Sequence, residues 1–574
     1  MTVPPTSPQN GPPGLIRRLP SGVLGLDAVL GGGVPELSFN LIAGGPGAGK
    51  TTLAQQLLFA TATPERPGLY FTVLGEPTLK MIRYQRQFSF FDPARVGRDI
   101  HLLNLSAEAA AGDLDTVLER MVGEMVRHTP GLVVVDSFRT LGPQGGRGDA
   151  AEHGALEQFV QRLALHLTTW ETTSFLISEY AEDEQRHPVF TVADGILWLS
   201  QVADRNSVVR KLQVMKVRGQ AFMPGLHTFR ITGGGLQVFP RIPEQQWARR
   251  RPAPSRLPTG VPGLDELMSG GIPAGDAVML AGPTGTGKTT FATQFVAAGH
   301  RAGEAAVIAV FEEYPEAYLA RARSLGVDLG SMVEDGTLRV IYLRPLDLSV
   351  DETLAAILET VEEVGATRVV IDSISGFEIA LAPAFREDFR ESFYRLVGAL
   401  TAVGVTVLMT NEVAGSAVDM SFSGERVSFI TDDIIIQRYV EVEGRLRTVL
   451  AVVKMRGSAH SRDFREYSVT SKGAVIGEPL AGYHGIMTGF PERRLPERLP
   501  EYPGLARPEA AMLDALVRLG GASAAALGTR TGVLPDEAAR ALERLVALGY
   551  AVRSGEGDDG PAYRAVARST DARG

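Results

Sequence analysis

Two stretches of the chain can do chemistry on phosphate. Gly44-Gly-Pro-Gly-Ala-Gly-Lys50-Thr51 and Gly282-Pro-Thr-Gly-Thr-Gly-Lys288-Thr289 both fit the pattern of a P-loop, each after an apolar run and before a helical one. In such a loop the glycines let backbone N–H groups converge on phosphate oxygens, and the helix that follows adds positive potential at its N-terminus. The spacing therefore assigns nucleotide contacts to Gly45, Gly47, Ala48, Gly49, Lys50, Thr51 and Thr52, and to Thr284, Gly285, Thr286, Gly287, Lys288, Thr289 and Thr290. Lys50 and Lys288 would reach the β and γ phosphates, and the hydroxyls of Thr51 and Thr289 would hold Mg²⁺, so ATP and Mg²⁺ are the expected cofactors.

A second carboxylate for the metal is expected where an apolar strand ends. Asp136 after Leu-Val-Val-Val and Asp372 after Val-Val-Ile occupy that place, each followed by serine. Hydrolysis also needs a group that orients the attacking oxygen. Phe311-Glu312-Glu313 follows the run Ala306 to Val310 and supplies two carboxylates. The first copy reads Val73-Leu74-Gly75 in the same register, with Glu76 one position later. Side chains alternate in extended chain, so this shift predicts unequal sites, the second being the better catalyst. Lys216-x-Arg218 and Lys454-x-Arg456 end strand-like segments, and each pair can face one target. A cationic pair aimed at a γ-phosphate and a solvated pair at a sheet edge both fit that spacing.

The elements that must position these groups occur twice. Leu19-Pro-Ser-Gly-Val-Leu-Gly-Leu-Asp27 returns as Leu257-Pro-Thr-Gly-Val-Pro-Gly-Leu-Asp265 at an offset of 238, which the P-loops and the Lys-x-Arg-Gly segments share. The expected plan is a flexible lead-in over 1–14, a first domain over 15–240, a linker over 241–256, a second domain over 253–490, a further linker over 491–507, and a small unit over 508–568. Alternation of short β-branched runs with helical runs predicts the α/β class, with a mainly parallel sheet in each large domain. With 44% apolar and 21% charged residues the chain reads as an ordinary globular protein. The absence of cysteine excludes disulfides and thiol catalysis and suits a cytoplasmic location. No segment is long and apolar enough for a membrane helix, and a net charge of -9 argues against sequence-blind nucleic-acid binding.

Together, the duplicated P-loops, Glu312-Glu313 after the next strand, Val370-Ile-Asp-Ser373 and the paired Lys-x-Arg-Gly segments resemble the KaiC family of RecA-like ATPases over most of residues 15–490. The resemblance implies two tandem RecA-like P-loop domains and a two-tiered homohexamer. It implies ATP between subunits, with Lys216, Arg218, Lys454 and Arg456 reaching the neighbour's nucleotide. It further implies slow ATPase activity and, as in the family's clock member, a second-ring serine/threonine autokinase. Alignment on Ile430-Thr431-Asp432 puts Ser428 at the family's serine acceptor and Phe429 where threonine belongs. A two-site phosphorylation cycle is thus not expected, leaving single phosphorylation at Ser428 or Thr431.

Beyond residue 500 the pattern becomes helical: 508–519, a short helix near 523–529, then 535–548, with 550–553 and 562–566 as a hairpin. This predicts a winged-helix-like unit. Residues 505–574 hold nine arginines and nine acidic residues, so protein docking is favoured there over DNA binding. Three functions remain open at this level: a nucleotide-state switch with ATPase and autokinase activity, read by unidentified signalling partners; a DNA-stimulated motor or recombinase; and a scaffold or transcription regulator held together by ATP.

Overall fold

The β-branched runs form central strands because they can bury both faces. In the computed structural model, Phe39–Gly44 is buried along its whole length, and so is its counterpart Ala277–Gly282. The residues described are 16–73, 78–110, 114–137, 150–169, 171–180, 189–204, 207–241, 255–343, 348–386, 389–413, 430–442, 444–480, 483–486, 492–493, 504–519, 521–557 and 560–566.

The first repeat contains β1 (Phe39–Gly44), α1 (Lys50–Thr61), β2 (Gly68–Thr72), β3 (Ile100–Asn104), α2 (Leu114–His128), β4 (Leu132–Asp136), α3 (Ala150–Thr169), β5 (Thr173–Glu179), β6 (Gly195–Asp204), β7 (Ser207–Val217), β8 (Leu226–Thr232) and β9 (Gly235–Phe239). Its nine strands lie in the order β3-β2-β4-β5-β1-β6-β7-β8-β9. Pairing is parallel as far as β6 and antiparallel from β6 to β9. Hydrophobic cores on the two faces, one around α1 and the other around α2 and α3, account for the sheet's apolar character on both sides.

The second repeat has the same plan: β10 (Ala277–Gly282), α4 (Lys288–Arg301), β11 (Ala305–Val310), α5 (Pro315–Ser324), β12 (Leu338–Tyr342), α6 (Val350–Val364), β13 (Ala366–Asp372), α7 (Phe389–Ala402), β14 (Thr406–Glu412), β15 (Asp433–Val442), β16 (Arg445–Met455), β17 (Arg465–Thr470) and β18 (Gly473–Pro479). The strand order is again the same, β12-β11-β13-β14-β10-β15-β16-β17-β18. The two repeats solve one core position differently. Leu132 begins β4 as a buried apolar residue, whereas Arg368 on β13 is wholly buried and bonded to Glu304 and to the carbonyls of Pro258 and Phe295.

The boundary between the repeats has its own contacts. Arg256 and Leu257 pair with Pro273 and Ile272, so this short strand belongs structurally to the second repeat. Arg230 on β8 donates to the carboxylate of Glu352, in the first turn of α6, at 3.0–3.2 Å. Arg241 bonds Glu391, and the Lys211 ammonium sits 5.2 Å from the Phe385 ring centre. The basic run Arg249 to Arg251 lies outside the described residues.

After these repeats come α8 (Arg507–Leu519), α9 (Ala524–Thr531), α10 (Pro535–Ala547), β19 (Ala551–Gly557) and β20 (Gly560–Ala565), with Ala522–Ser523 pairing onto β20. Met512, Leu516, Leu527, Leu542 and Leu545 form their own buried cluster.

Candidate functional site

The first P-loop leaves β1 and enters α1 through glycines with positive φ, Gly47 at 71° and Gly49 at 95°; Gly285 and Gly287 do the same in the second loop, at 82° and 89°. Left-handed backbone of this kind favours glycine. Gly47 has open space where a Cβ would stand, which leaves the cradle free, while Gly49 is backed by Ile231 and Gly287 by Val469. No side chain caps α1 or α4, so the N–H groups of their first turns face the loop.

Lys50 Nζ donates to the carbonyls of Gly44 and Gly45 at 2.9 and 2.7 Å, and Lys288 Nζ to those of Gly282 and Pro283, both at 2.8 Å. Burial lowers the pKa of both lysines, partly offset by nearby carboxylates. The loop threonines and alanine differ in what they present. Ala48 is buried, and Thr52 is half-buried on α1. Thr284 bonds Glu412, Thr286 turns inward to Pro283 and Gln437, and Thr290 is buried. The Thr286 carbonyl in turn accepts from the Tyr467 hydroxyl at 2.6 Å, so this residue is tied into the loop's support.

Thr51 Oγ1 donates to Asp136 Oδ2 at 2.8 Å, which unites the two expected metal-holding groups of the first repeat. Tyr70, fully buried on β2, donates to the same oxygen at 2.5 Å. Burial raises the Asp136 pKa, while Tyr70, Thr51 and Lys50 pull it down. The second repeat is arranged differently. Thr410 donates to Asp372 Oδ1 at 2.5 Å, while Asp372 Oδ2 and the hydroxyl of Tyr318 on α5 are buried beside one another, outside good hydrogen-bond geometry. No hydrogen bond joins Thr289 to Asp372 among the described residues. The donor set fits a hard cation at both places: a loop threonine and a strand-end carboxylate, which in the second repeat is held by Thr410 and stands beside Tyr318.

The two glutamates after β11 separate. Glu312 accepts from Ser373 Oγ at 2.8 Å and lies over Gly376, where a Cβ would stand 2.6 Å from its Oε1. It also contributes to the field at Lys288. Glu313 instead pairs with Arg321, and burial raises its pKa against that pull. Glu312 thus faces the loop more directly. Glu76 and Ser428 lie outside the described residues. Thr431 is fully buried, with its hydroxyl unpartnered, just before β15.

Lys216 and Arg218 lie at the far end of the sheet from their own P-loop, and so do Lys454 and Arg456. Lys216 donates to the carbonyls of Phe190 and Thr191, and Arg218 pairs with Asp194 at 3.1 Å. Lys454 donates to the carbonyl of Thr431, and Arg456 pairs with Asp432 at 3.1 Å. Asp194 and Asp432 adjoin the starts of β1 and β10, whereas the loops follow the ends of those strands. Arg218 and Arg456 are therefore about six strand residues, roughly 20 Å, from their own cradles. Lys216 and Lys454, whose backbones lie level with Leu41 and Met279, turn their ammonium groups the same way, away from the loops. The register of β6 with β7 shifts next to Lys216, and that of β15 with β16 shifts next to Lys454. Such an irregularity re-aims the side chains that follow it.

Several residues at the sites were not singled out by their spacing. Glu179 ends β5 and stands 3.7 Å from Lys50, and Glu412 ends β14 and is the foremost carboxylate acting on Lys288. Both end strands beside the P-loop strand, but polar residues (Ser178; Thr410 and Asn411) part them from the apolar run, a weaker signal than the one that marked Asp136 and Asp372. Tyr70, Tyr318 and Thr410 carry no such signal. Among the described residues no group of three or more histidines, cysteines or carboxylates is placed to hold a metal by itself, and no helix is long and apolar enough to cross a membrane.

Comparison with known proteins agrees with this duplicated geometry. The family model for the KaiC ATPase matches residues 19–242 and again 257–481. The circadian clock oscillator protein KaiC of Rippkaea orientalis is 30% identical over 491 residues, covering 83% of this chain and 92% of that one. KaiC from Prochlorococcus marinus strain MIT 9313 is 27% identical over 486 residues, covering 83% and 96%, and KaiC 1 from Synechocystis is 29% identical over 493 residues, covering 83% and 92%. With two matched repeats spanning most of its length, each built around a P-loop on an α/β sheet, the chain belongs to the KaiC family of ATPases.

Proposed function

We propose that the chain is an ATP-hydrolysing switch that assembles as a two-tiered homohexamer, with nucleotide between subunits and serine autokinase activity in the second repeat. The carrying observation is the placement of each Lys-x-Arg pair across the sheet from its own cradle. A pair so placed cannot serve its own loop, but a ring of head-to-tail copies presents it to the neighbour's. Arginine or lysine supplied in this way stabilises charge on the transferring phosphoryl group.

Within a subunit, the loop N–H groups and Lys50 or Lys288 bind and orient the phosphates. Thr51 with Asp136, and Thr289 with Asp372, would hold Mg²⁺, which when bound neutralises phosphate charge and fixes the oxygens in place. Glu312 orients and deprotonates the attacking oxygen in the second repeat, with Ser373 holding its carboxylate and Glu313 supporting from the Arg321 side. Glu76 has this part in the first repeat. Ser428 is the proposed acceptor; Thr431 could serve only after the start of β15 opened. The unit from residue 508 onwards is read as a winged-helix-like docking module, since its charges balance. A cytoplasmic location accords with the cysteine-free composition.

The test is ATP turnover with phosphopeptide mapping on wild type, Glu312→Gln and Glu313→Gln, with and without DNA. Slow turnover indifferent to DNA, lost in Glu312→Gln, with phosphate on Ser428, is expected. Turnover that requires DNA would replace the switch with a motor, and an ATP-dependent ring without turnover would leave a scaffold.

A further inference from the structure

The bases of the two cationic pairs are built on the same frame but filled with different chemistry. In the first repeat Asp194 accepts from the N–H of Phe39 and from Arg218, both at 3.1 Å. In the second, Asp432 accepts from the N–H of Ala277 and from Arg456, again both at 3.1 Å. Around that frame the first repeat places Ser38, Asn40 and Gly195. The Asn40 amide donates to Ser38 Oγ at 2.8 Å and to the Ser174 carbonyl at 3.2 Å, and a Cβ on Gly195 would collide with it. The hole there is closed by a neutral group with its donors used.

At the corresponding positions, 238 residues on, stand Asp276, Val278 and Asp433. Asp433 is fully buried, and neither carboxyl oxygen has a hydrogen-bond partner. The hydroxyl of Thr431, two residues earlier, is buried and unpartnered as well. The charged groups acting on this carboxyl are Asp276 from the turn before β10, Asp432 beside it, and Arg256 from the short strand that opens the repeat. From β16, Lys454 and Arg456 complete the set. The backbone N–H of Arg456, which bonds the Asp432 carbonyl at 3.2 Å, also acts on the Asp433 carboxyl and lowers it, against the stronger effects of burial and the two neighbouring acids. The basic side chains are directed elsewhere: Arg256 to the carbonyls of Met268 and Gly271, Lys454 to Thr431 and Arg456 to Asp432. An ionised Asp433 would thus be a buried anion next to two other carboxyls, with the Arg456 N–H, already bonded to Asp432, as its nearest donor.

We propose that Asp433, with Asp276 and Asp432, is a proton-holding site that fixes the base of β15 and β16, so that the position of Lys454 and Arg456 responds to pH while that of Lys216 and Arg218 does not. With the proton bound, Asp433 is a neutral hydroxyl donor that can satisfy a neighbouring carboxylate. Without it, repulsion among the three carboxyls loosens the strand start. Burial and the neighbouring acids push Asp433 up to about 7 and Asp276 up to about 6, against an ordinary value of 3.8. Both folded-state values are raised, so the folded state binds more protons than the unfolded one between about pH 4 and 7. The stability they contribute is present at low pH and is lost as pH rises through the folded values. The effect on turnover rests on the proposed action of Lys454 and Arg456 across subunits; the proton site itself does not.

The experiment compares full-length wild type, Asp433→Asn and Asp276→Ser by thermal unfolding without nucleotide, and by ATP turnover, at about pH 5.5 and 8.5. For wild type, the second repeat's folding equilibrium should weaken by at least about tenfold between those pH values relative to Asp433→Asn, since one pKa unit is tenfold. Asp276→Ser should flatten the profile in part, and it keeps the test decisive if Asp433→Asn fails to fold. An identical pH slope in wild type and the foldable variant overturns the proton site. A flattened stability profile with an unchanged pH profile of turnover overturns its link to the cationic pair. Turnover of Lys454→Ala checks the underlying reading separately, because an undiminished rate there refutes action across subunits whatever the pH slope shows.

Discussion

Arg368 gives the sharpest test of how the second repeat is held together. Its side chain is fully buried, with Nε 2.5 Å from Glu304, Nη1 2.8 Å from the carbonyls of Pro258 and Phe295, and its guanidinium carbon 4.5 Å from the Phe295 ring centre. Arg368→Ala removes all of these at once and leaves a buried acceptor pair behind. Breaking a buried ion pair from one side costs about 3–5 kcal/mol. At about 2–4 °C per kcal/mol for a unit of this size, the second repeat's unfolding midpoint should fall by about 6–20 °C. Arg368→Leu copies the first repeat's Leu132, restores most of the lost volume and leaves the partly exposed Glu304 free to regain water. Its cost should drop to about 2–3 kcal/mol, that of the orphaned carbonyls. Differential scanning calorimetry on the full chain would show one transition moving and the first repeat's staying put. A shift under about 1 kcal/mol for Arg368→Ala, or Leu proving no better than Ala, would refute the reasoning.

Lys50→Met and Lys288→Met should each weaken nucleotide binding at their own site by about tenfold or more, because two loop carbonyls lose their donor along with the phosphates; fluorescent-nucleotide titration would read it. Gly287→Ala should impair the second loop, since its φ of 89° disfavours a side chain and the added methyl meets Val469 Cγ2 at 2.7 Å; the cost is about 1–3 kcal/mol in loop stability, seen as lost ATP affinity. Arg230→Ala should cost about 1 kcal/mol or less, as the pair with Glu352 is only partly buried, yet it should raise the rate of proteolytic cleavage between the repeats. Leu542→Ala should destabilise the C-terminal unit by about 2–5 kcal/mol and leave ATP turnover unchanged, with circular dichroism and turnover measured on the same sample.

The sheets were legible because the constant offset and the glycine loops mark the same strands twice, and a strand buried on both faces has few alternatives to β-branched runs. The P-loop lysines could be read from spacing alone, since the loop's own backbone fixes where they go. What spacing could not convey was contact between distant strands. Tyr70 meets Asp136 only because β2 pairs in register with β4, and Glu412 reaches the second loop only because β14 lies beside β10. The different surroundings of Glu312 and Glu313 were invisible for a related reason: one carboxylate meets Ser373 and Gly376 and the other meets Arg321, all on other elements. Nothing in the spacing marks Asp433; it stands out only once the strand's burial leaves its carboxyl without a side-chain donor.

Strand β8 joins two jobs by alternation. Phe229 and Ile231 face inward, with Ile231 backing Gly49 of the first P-loop, while Arg230 between them turns outward to the second repeat. The same strand in the second repeat has Tyr467 buried and Val469 backing Gly287 while itself exposed, and the residue between them is the exposed Ser468. The duplicated units are therefore not interchangeable beads: at this position the first has a guanidinium that reaches the other repeat and the second has a serine. A chain with the repeats transposed would keep both cradles but place a serine where Arg230 now reaches Glu352, so one of the contacts that join the repeats depends on their order.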